Sequence, residues 1–168
     1  MALPRHPSRH VHATVFNIVR SGLTTLGWVS APVNFSTTPV TFLDFQPDER
    51  GVDIVANTVA VSLGDVEEDV LEQVGGGLWS RRYPMFVDVY GSGTSIGEAI
   101  CDDVRATLPE GGASFPLINQ ASGLEAAGCS LEIERLIGPE RPDIAASFDG
   151  LKRNWRVMRL QVLLTHSD

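Results

Sequence analysis

The last part of the chain constrains the fold most. From Trp155 to Thr165 the sequence alternates, with Met158, Leu160, Val162 and Leu164 sharing one face and Arg156 beginning that face near its rim. A period of two sustained over that length is a strand and not a helix. A long strand with one apolar face needs a covering layer. Two stretches with helical spacing can supply it. Val11, Val15, Ile18, Val19 and Leu26 recur after Pro7, with Ser8 as the expected cap, Gly22 as a weak middle and Gly27 as the stop. Ile96, Ile100, Val104 and Leu108 form the second stripe, opened by the capping box Ser95-x-x-Glu98 and ended by Pro109.

The remaining elements are strands and turns. Val40–Phe45, Thr58–Leu63, Met85–Tyr90, Phe115–Ile118 and Ser130–Ile137 have strand composition, and Val33–Phe35 is a candidate short edge strand. Gln46–Gly51 and Gly138–Pro142 read as turns. Two readings compete for Gly64–Gly77. Asp65 and Glu68 fit a capping box, with Val66, Val70 and Val74 on one helical face. Alternatively the segment leaves as one arm of a long β-hairpin, turns at Gly75–Gly77 and returns through Leu78–Tyr83. The hairpin is the reading taken here, because a turn centred on Gly76 brings Asp69 and Glu72 near Arg81 and Arg82. The expectation is a single α+β domain over residues 1–168. Two helices cover one face of a mainly antiparallel sheet, and residues 65–82 form an extended hairpin arm.

The chain has 168 residues, enough to bury a core without staples. Thirteen Lys and Arg stand against 21 Asp and Glu, a net charge of −8, which argues against a protein that grips nucleic acid. It leaves open a protein past which DNA slides. No apolar run approaches the roughly 20 residues that cross a bilayer. Met1–His10 lacks the apolar centre of a signal peptide, so no export is expected. Cys101 and Cys129 have no metal-ligand spacing and read as buried thiols.

Chemistry is sparse. Gly91, Gly93 and Gly97 follow a strand and open a helix, one residue off the dinucleotide fingerprint, yet no acid ends a second parallel strand about 20 residues on. A tight turn into the helix is the plainer reading. His6, His10 and His12 cluster without a nearby carboxylate, so no metal is expected. Asp102 and Asp103 point about 100° apart on a helix and form no dyad. Glu132 and Glu134 fit a solvated strand face. No nucleophile, base and orienter assemble, so neither an enzyme nor a cofactor is expected. Interaction surface is more prominent. Trp79, Arg81, Arg82 and Tyr83 on the glycine-hinged arm, with Lys152, Arg153 and Trp155 before the last strand, are the residue types enriched at interface hot spots. The alternative for Trp79 and Tyr83 is that they cover the core end of the hairpin. An acidic arm and two basic, aromatic patches suit head-to-tail association into a ring.

These residues resemble the tail terminator, or tail-completion, proteins of long-tailed bacteriophages, especially of actinobacterial phages. The matching pieces are Val29–Phe35 with Val40–Arg50, Gly75–Trp79 with Tyr83–Gly91, the helix Ile96–Leu108, and Lys152–Val157. The resemblance rests on pattern and order over most of the chain. It implies a subunit of a homo-hexameric ring in the virion, made in the host cytoplasm and placed at the head-proximal end of the tail. The ring would bind the tail tube protein, end tube growth and meet the head–tail connector or neck protein. It would touch no membrane, and DNA would pass through its lumen without specific binding. Trp79, Arg81, Arg82, Tyr83, Lys152, Arg153 and Trp155 would then lie at ring or tube contacts. Asp65, Glu67, Glu68, Asp69 and Glu72 would line the bore and repel the DNA backbone. A head-closure protein of the neck is the nearest alternative. A small nucleotide-binding enzyme using the Gly91–Gly97 turn is the alternative of another class.

Overall fold

The computed structural model describes residues 5–29, 39–46, 54, 57–64, 72–73, 78–109, 111–142 and 154–167, with the backbone alone at 72 and 73. It is α+β. The helices are α1 (Pro7–Thr25) and α2 (Thr94–Thr107). The strands are β1 (Thr41–Leu43), β2 (Thr58–Leu63), β3 (Glu72–Gln73), β4 (Leu78–Tyr90), β5 (Ser114–Ile118), β6 (Glu125–Glu140) and β7 (Trp155–Ser167). They form one sheet in the order β1-β2-β4-β7-β6-β5, with β3 on the flank of β4. Each described pair is antiparallel except β1 with β2.

Alternation decides which residues enter the core. Tyr83, Met85, Val87 and Val89 of β4 lie beside Val162, Leu160, Met158 and Arg156 of β7, and all but Arg156 belong to the buried cluster. Val59 and Val61 of β2 and Leu131 and Ile133 of β6 extend that layer. Val11, Val15, Val19 and Leu23 of α1 and Ile100, Cys101 and Val104 of α2 close over it. The stripe expected on α1 is displaced at its end: Leu23 is buried and Leu26 is 44% exposed. The expected caps are also corrected. His6 holds the N-cap position of α1 with φ 57°, Pro7 is the first helical residue, and Ser8 lies inside the helix. Gly93 holds that position for α2 with no side-chain cap, because the helix starts at Thr94 and draws Ser95 into its first turn.

β4 runs unbroken through Pro84, where the sequence suggests two pieces. The Pro84 carbonyl accepts from Gly64 N–H at 2.8 Å, just past the end of β2. The proline nitrogen faces that same side, where no ladder partner requires an N–H. The hairpin reading holds for the described pair: Glu72 lies opposite Ser80 and Gln73 opposite Trp79, a register centred on Gly76. The register places Glu72 directly opposite Ser80, one position from Arg81 and two from Arg82 along the facing strand. The returning arm pairs with β7 all the way from Leu78 to Tyr90, so it is part of the sheet. Val33–Phe35 and Asp65–Leu71 lie outside the described residues.

The sheet curls around α1. That helix meets β2 near one edge and β5 at the other. β1 ends opposite Ala60, and the next carbonyl of β2, that of Val61, accepts from His12 Nε2 at 2.8 Å. On the other side Ile118 N–H donates to Thr14 Oγ1 at 3.1 Å and Gln120 N–H to His10 Nδ1 at 3.0 Å. His10 therefore carries its proton on Nε2, which donates to the Arg5 carbonyl.

Candidate interaction surface

Strand alternation divides the Trp79–Tyr83 patch. Trp79, Arg81 and Tyr83 take the core side of β4, and Arg82 takes the opposite side. Tyr83 is fully buried. It offers no surface to a partner, which corrects its expected place at a contact in favour of the core-covering alternative. Arg81 lies with its guanidinium carbon 5.4 Å from the Tyr83 ring centre. Burial raises the Tyr83 pKa, and the Arg81 charge opposes that rise. Trp79 is half-buried. Arg82 reaches across β7 to Glu134 on β6 with two bonds, Nε to Oε2 at 2.8 Å and a terminal nitrogen to Oε1 at 3.1 Å.

Trp155 lies on the same outer side as Arg82 but at the other end of β4. It pairs with Tyr90, eight positions from Arg82, or about 26 Å along a strand. Its ring stacks on Tyr90 at 5.6 Å, and its indole N–H donates to Asp88 Oδ1 at 2.7 Å. Asp88 is buried, so Trp155 is partly a structural residue. Lys152, Arg153, Asp65, Glu67, Glu68 and Asp69 lie outside the described residues, and Glu72 is placed by its backbone alone.

The outer sheet side is the surface this arrangement leaves. Both described helices lie on the core side. Near Tyr90 the outer side is closed, with Thr58, Ala60, Asp88 and Tyr90 buried. Farther along β4 and β7 it carries half-buried Phe86, Val157, Gln161 and Leu163. A concavity of about 480 Å³ opens there, lined by Phe86, Trp155 and Val157 with Arg159 and Glu140 at its rim. Arg159 and Glu140 pair at 3.5 Å and are both well exposed. Apolar side chains interspersed with polar ones, Ser62 and Asp88 among them, and both signs of charge alongside have the anatomy of a protein contact.

The Gly91–Gly97 turn is occupied by packing. A Cβ on Gly91 would lie 2.7 Å from Gly97 backbone atoms, so the two glycines let β4 run close onto α2. Ser92 N–H is bound by Asn57 Oδ1 at 2.9 Å and Gly97 N–H by the Gly93 carbonyl at 2.9 Å. Other polar roles had no signal in the sequence. Trp28, fully buried, donates to Asp103 Oδ2 at 2.6 Å, tying the end of α1 to α2. Arg156 reaches Glu98 at 3.6 Å with only 11% of its side chain exposed. His10 and His12 fasten α1 to the sheet and its flanking loop. Cys101 and Cys129 are free and buried, and burial pushes the Cys101 thiol up to about 12. Among the described residues no group of three or more His, Cys, Asp or Glu is placed to hold a metal ion, and no helix is long and apolar enough to cross a membrane. No known protein family and no curated protein matches the chain.

Proposed function

We propose that this chain is a structural subunit of a phage virion that works by contact with copies of itself and with neighbouring virion proteins, and that it catalyses no reaction. In this reading it forms a ring, a homo-hexamer as in the tail terminators it resembles, at the head-proximal end of the tail tube. The ring ends tube growth and joins the tube to the neck, and DNA passes through it. The observation that carries the reading is the outer sheet side. A half-buried apolar strip of Phe86, Val157 and Leu163, flanked by the Arg82–Glu134 and Arg159–Glu140 pairs, faces away from both described helices. A surface of that kind favours a protein partner over a small substrate.

Electron microscopy of particles made without this chain tests it. Overlong or ragged tails with unattached heads are the expected result. Tails of normal length joined to heads would end the reading. Normal-length tails that fail to join heads would favour a head-closure protein. The nucleotide-enzyme alternative predicts a rise in melting temperature with a nucleotide. The occupied N–H groups at Ser92 and Gly97 weigh against it.

A further inference from the structure

We propose that Leu124, in the turn between β5 and β6, is a docking knob that seats in the outer-sheet concavity of a second copy. The inference rests on the ring reading above and names its contact. Leu124 is 69% exposed, more than any other large hydrophobic side chain among the described residues. A single exposed leucine is ordinary on a protein surface. This one is held out by its own turn. Asn119 N–H donates to the Leu124 carbonyl and Gly123 N–H to the Asn119 carbonyl, each at 2.8 Å. Asn119 Oδ1 accepts from Ala121 N–H at 2.9 Å, and Ser122 Oγ from Leu124 N–H at 3.3 Å. His10 ties Gln120 to α1. A turn fixed in this way loses little conformational freedom on binding. The hairpin is also poor in charge. From Gly111 to Leu131 Glu125 is the only charged side chain, and depletion of charge marks the centre of a protein contact.

The concavity lies at the other end of β6. Glu125 opens that strand and Glu140, at the rim, closes it, 16 residues in all. At about 3.3 Å per residue the two ends stand tens of ångströms apart, so Leu124 does not reach the concavity of its own chain. A neighbouring copy can bring it there. The opening of about 480 Å³ has room for a leucine side chain, with Phe86, Trp155 and Val157 to meet it. Charge fits as well. Arg141 and Arg159 line the opening with one exposed carboxylate, Glu140, because Asp88 is buried and takes the Trp155 N–H. Glu125, exposed and next to Leu124 in the chain, brings the negative charge that this end lacks. Two different patches at two ends of one chain make a heterologous contact, the kind that closes into rings.

Sedimentation equilibrium of the full chain tests the contact. The wild type is expected to self-associate. Leu124→Ala, at an exposed site, should melt within a few degrees of wild type and associate at least tenfold more weakly. Glu125→Arg should weaken association similarly, and Glu125→Arg with Arg159→Glu in one chain should recover most of the loss. Mixing tests the direction. Leu124→Ala keeps its concavity and Arg159→Glu keeps its knob. At a concentration where each alone is monomeric, the mixture should form a one-to-one dimer and nothing larger. The proposal fails if the wild type stays monomeric, or if Leu124→Ala associates like wild type or melts many degrees lower. It also fails if the charge exchange recovers nothing or the mixture stays monomeric. The particle micrographs decide the ring reading separately. Ragged tails together with undiminished Leu124→Ala association would end this contact alone.

Discussion

At the scale of single residues, burial sets the chemistry. Cys101 is the clearest case. Burial dominates its shift, and the Arg156 charge only partly offsets it. Its pKa rises from 9.0 to about 12 in the folded chain. Between those values the unfolded chain has released the thiol proton and the folded chain has kept it. Stability from this group is therefore complete below pH 9 and is lost as the pH climbs to about 12, at up to about 1.4 kcal/mol per pH unit. Urea titrations at a series of pH values check this, since Cys101→Ala should flatten the alkaline decline. Tyr83 and Cys129, both raised by burial, add the same sign and leave a residual slope in that variant. Trp155 offers a second test. Phe at this position keeps a ring on Tyr90 and deletes the donor to Asp88. Losing a hydrogen bond to a buried acceptor costs about 1–3 kcal/mol, so Trp155→Phe should destabilise by that amount in equilibrium unfolding.

At the scale of elements, the α1–α2 contact separates what the sequence tells from what it hides. Read as sequence, Gly22 is a weak point, and Ala there would stabilise an isolated helix by about 1 kcal/mol. In the fold, a Cβ at Gly22 would lie 2.1 Å from Thr107 Cγ2 and 2.4 Å from Thr107 Cβ. The second atom is tied to the α2 backbone and cannot swing away. Gly22→Ala is therefore expected to destabilise by about 1–3 kcal/mol, and Thr107→Gly in the same chain to recover part of the loss, as read by denaturant midpoints. Gly22 shows the general limit. Periodicity is a local signal, so Met158–Leu164 on β7 and Ile100 and Val104 on α2 were legible. The partner of a glycine, or of Trp28 with Asp103, lies far along the chain and leaves no local trace. The Trp79–Tyr83 patch was legible as composition but not as a surface. A single strand places Arg81 inward and Arg82 outward, and only knowing that β4 continues through Pro84 reveals it.

At the scale of the whole molecule, the curl of the sheet determines how another protein can approach. A flat sheet offers its edge strands, whose free N–H and C=O groups invite another strand. Here α1 fills the gap between β2 and β5. His12, Thr14 and His10 take up the Val61 carbonyl and the Ile118 and Gln120 amides. Strand addition at those positions would require breaking bonds that hold α1 in place. Association through the outer sheet side needs no such sacrifice. On the proposed reading, then, copies meet face to side and not edge to edge, and Arg159 is the residue that separates assembly from folding. Its pair with Glu140 is solvent-exposed on both sides, so it contributes at most about 1 kcal/mol to the subunit. Arg159→Glu should leave thermal unfolding of the monomer within a few degrees of wild type. Placed at the rim of a contact that excludes water, the reversed charge opposes Glu140 and should weaken self-association at least tenfold in sedimentation equilibrium. Unchanged association in that variant would move the contact off the Phe86–Val157 strip, while a large drop in melting temperature would make Arg159 a folding residue instead.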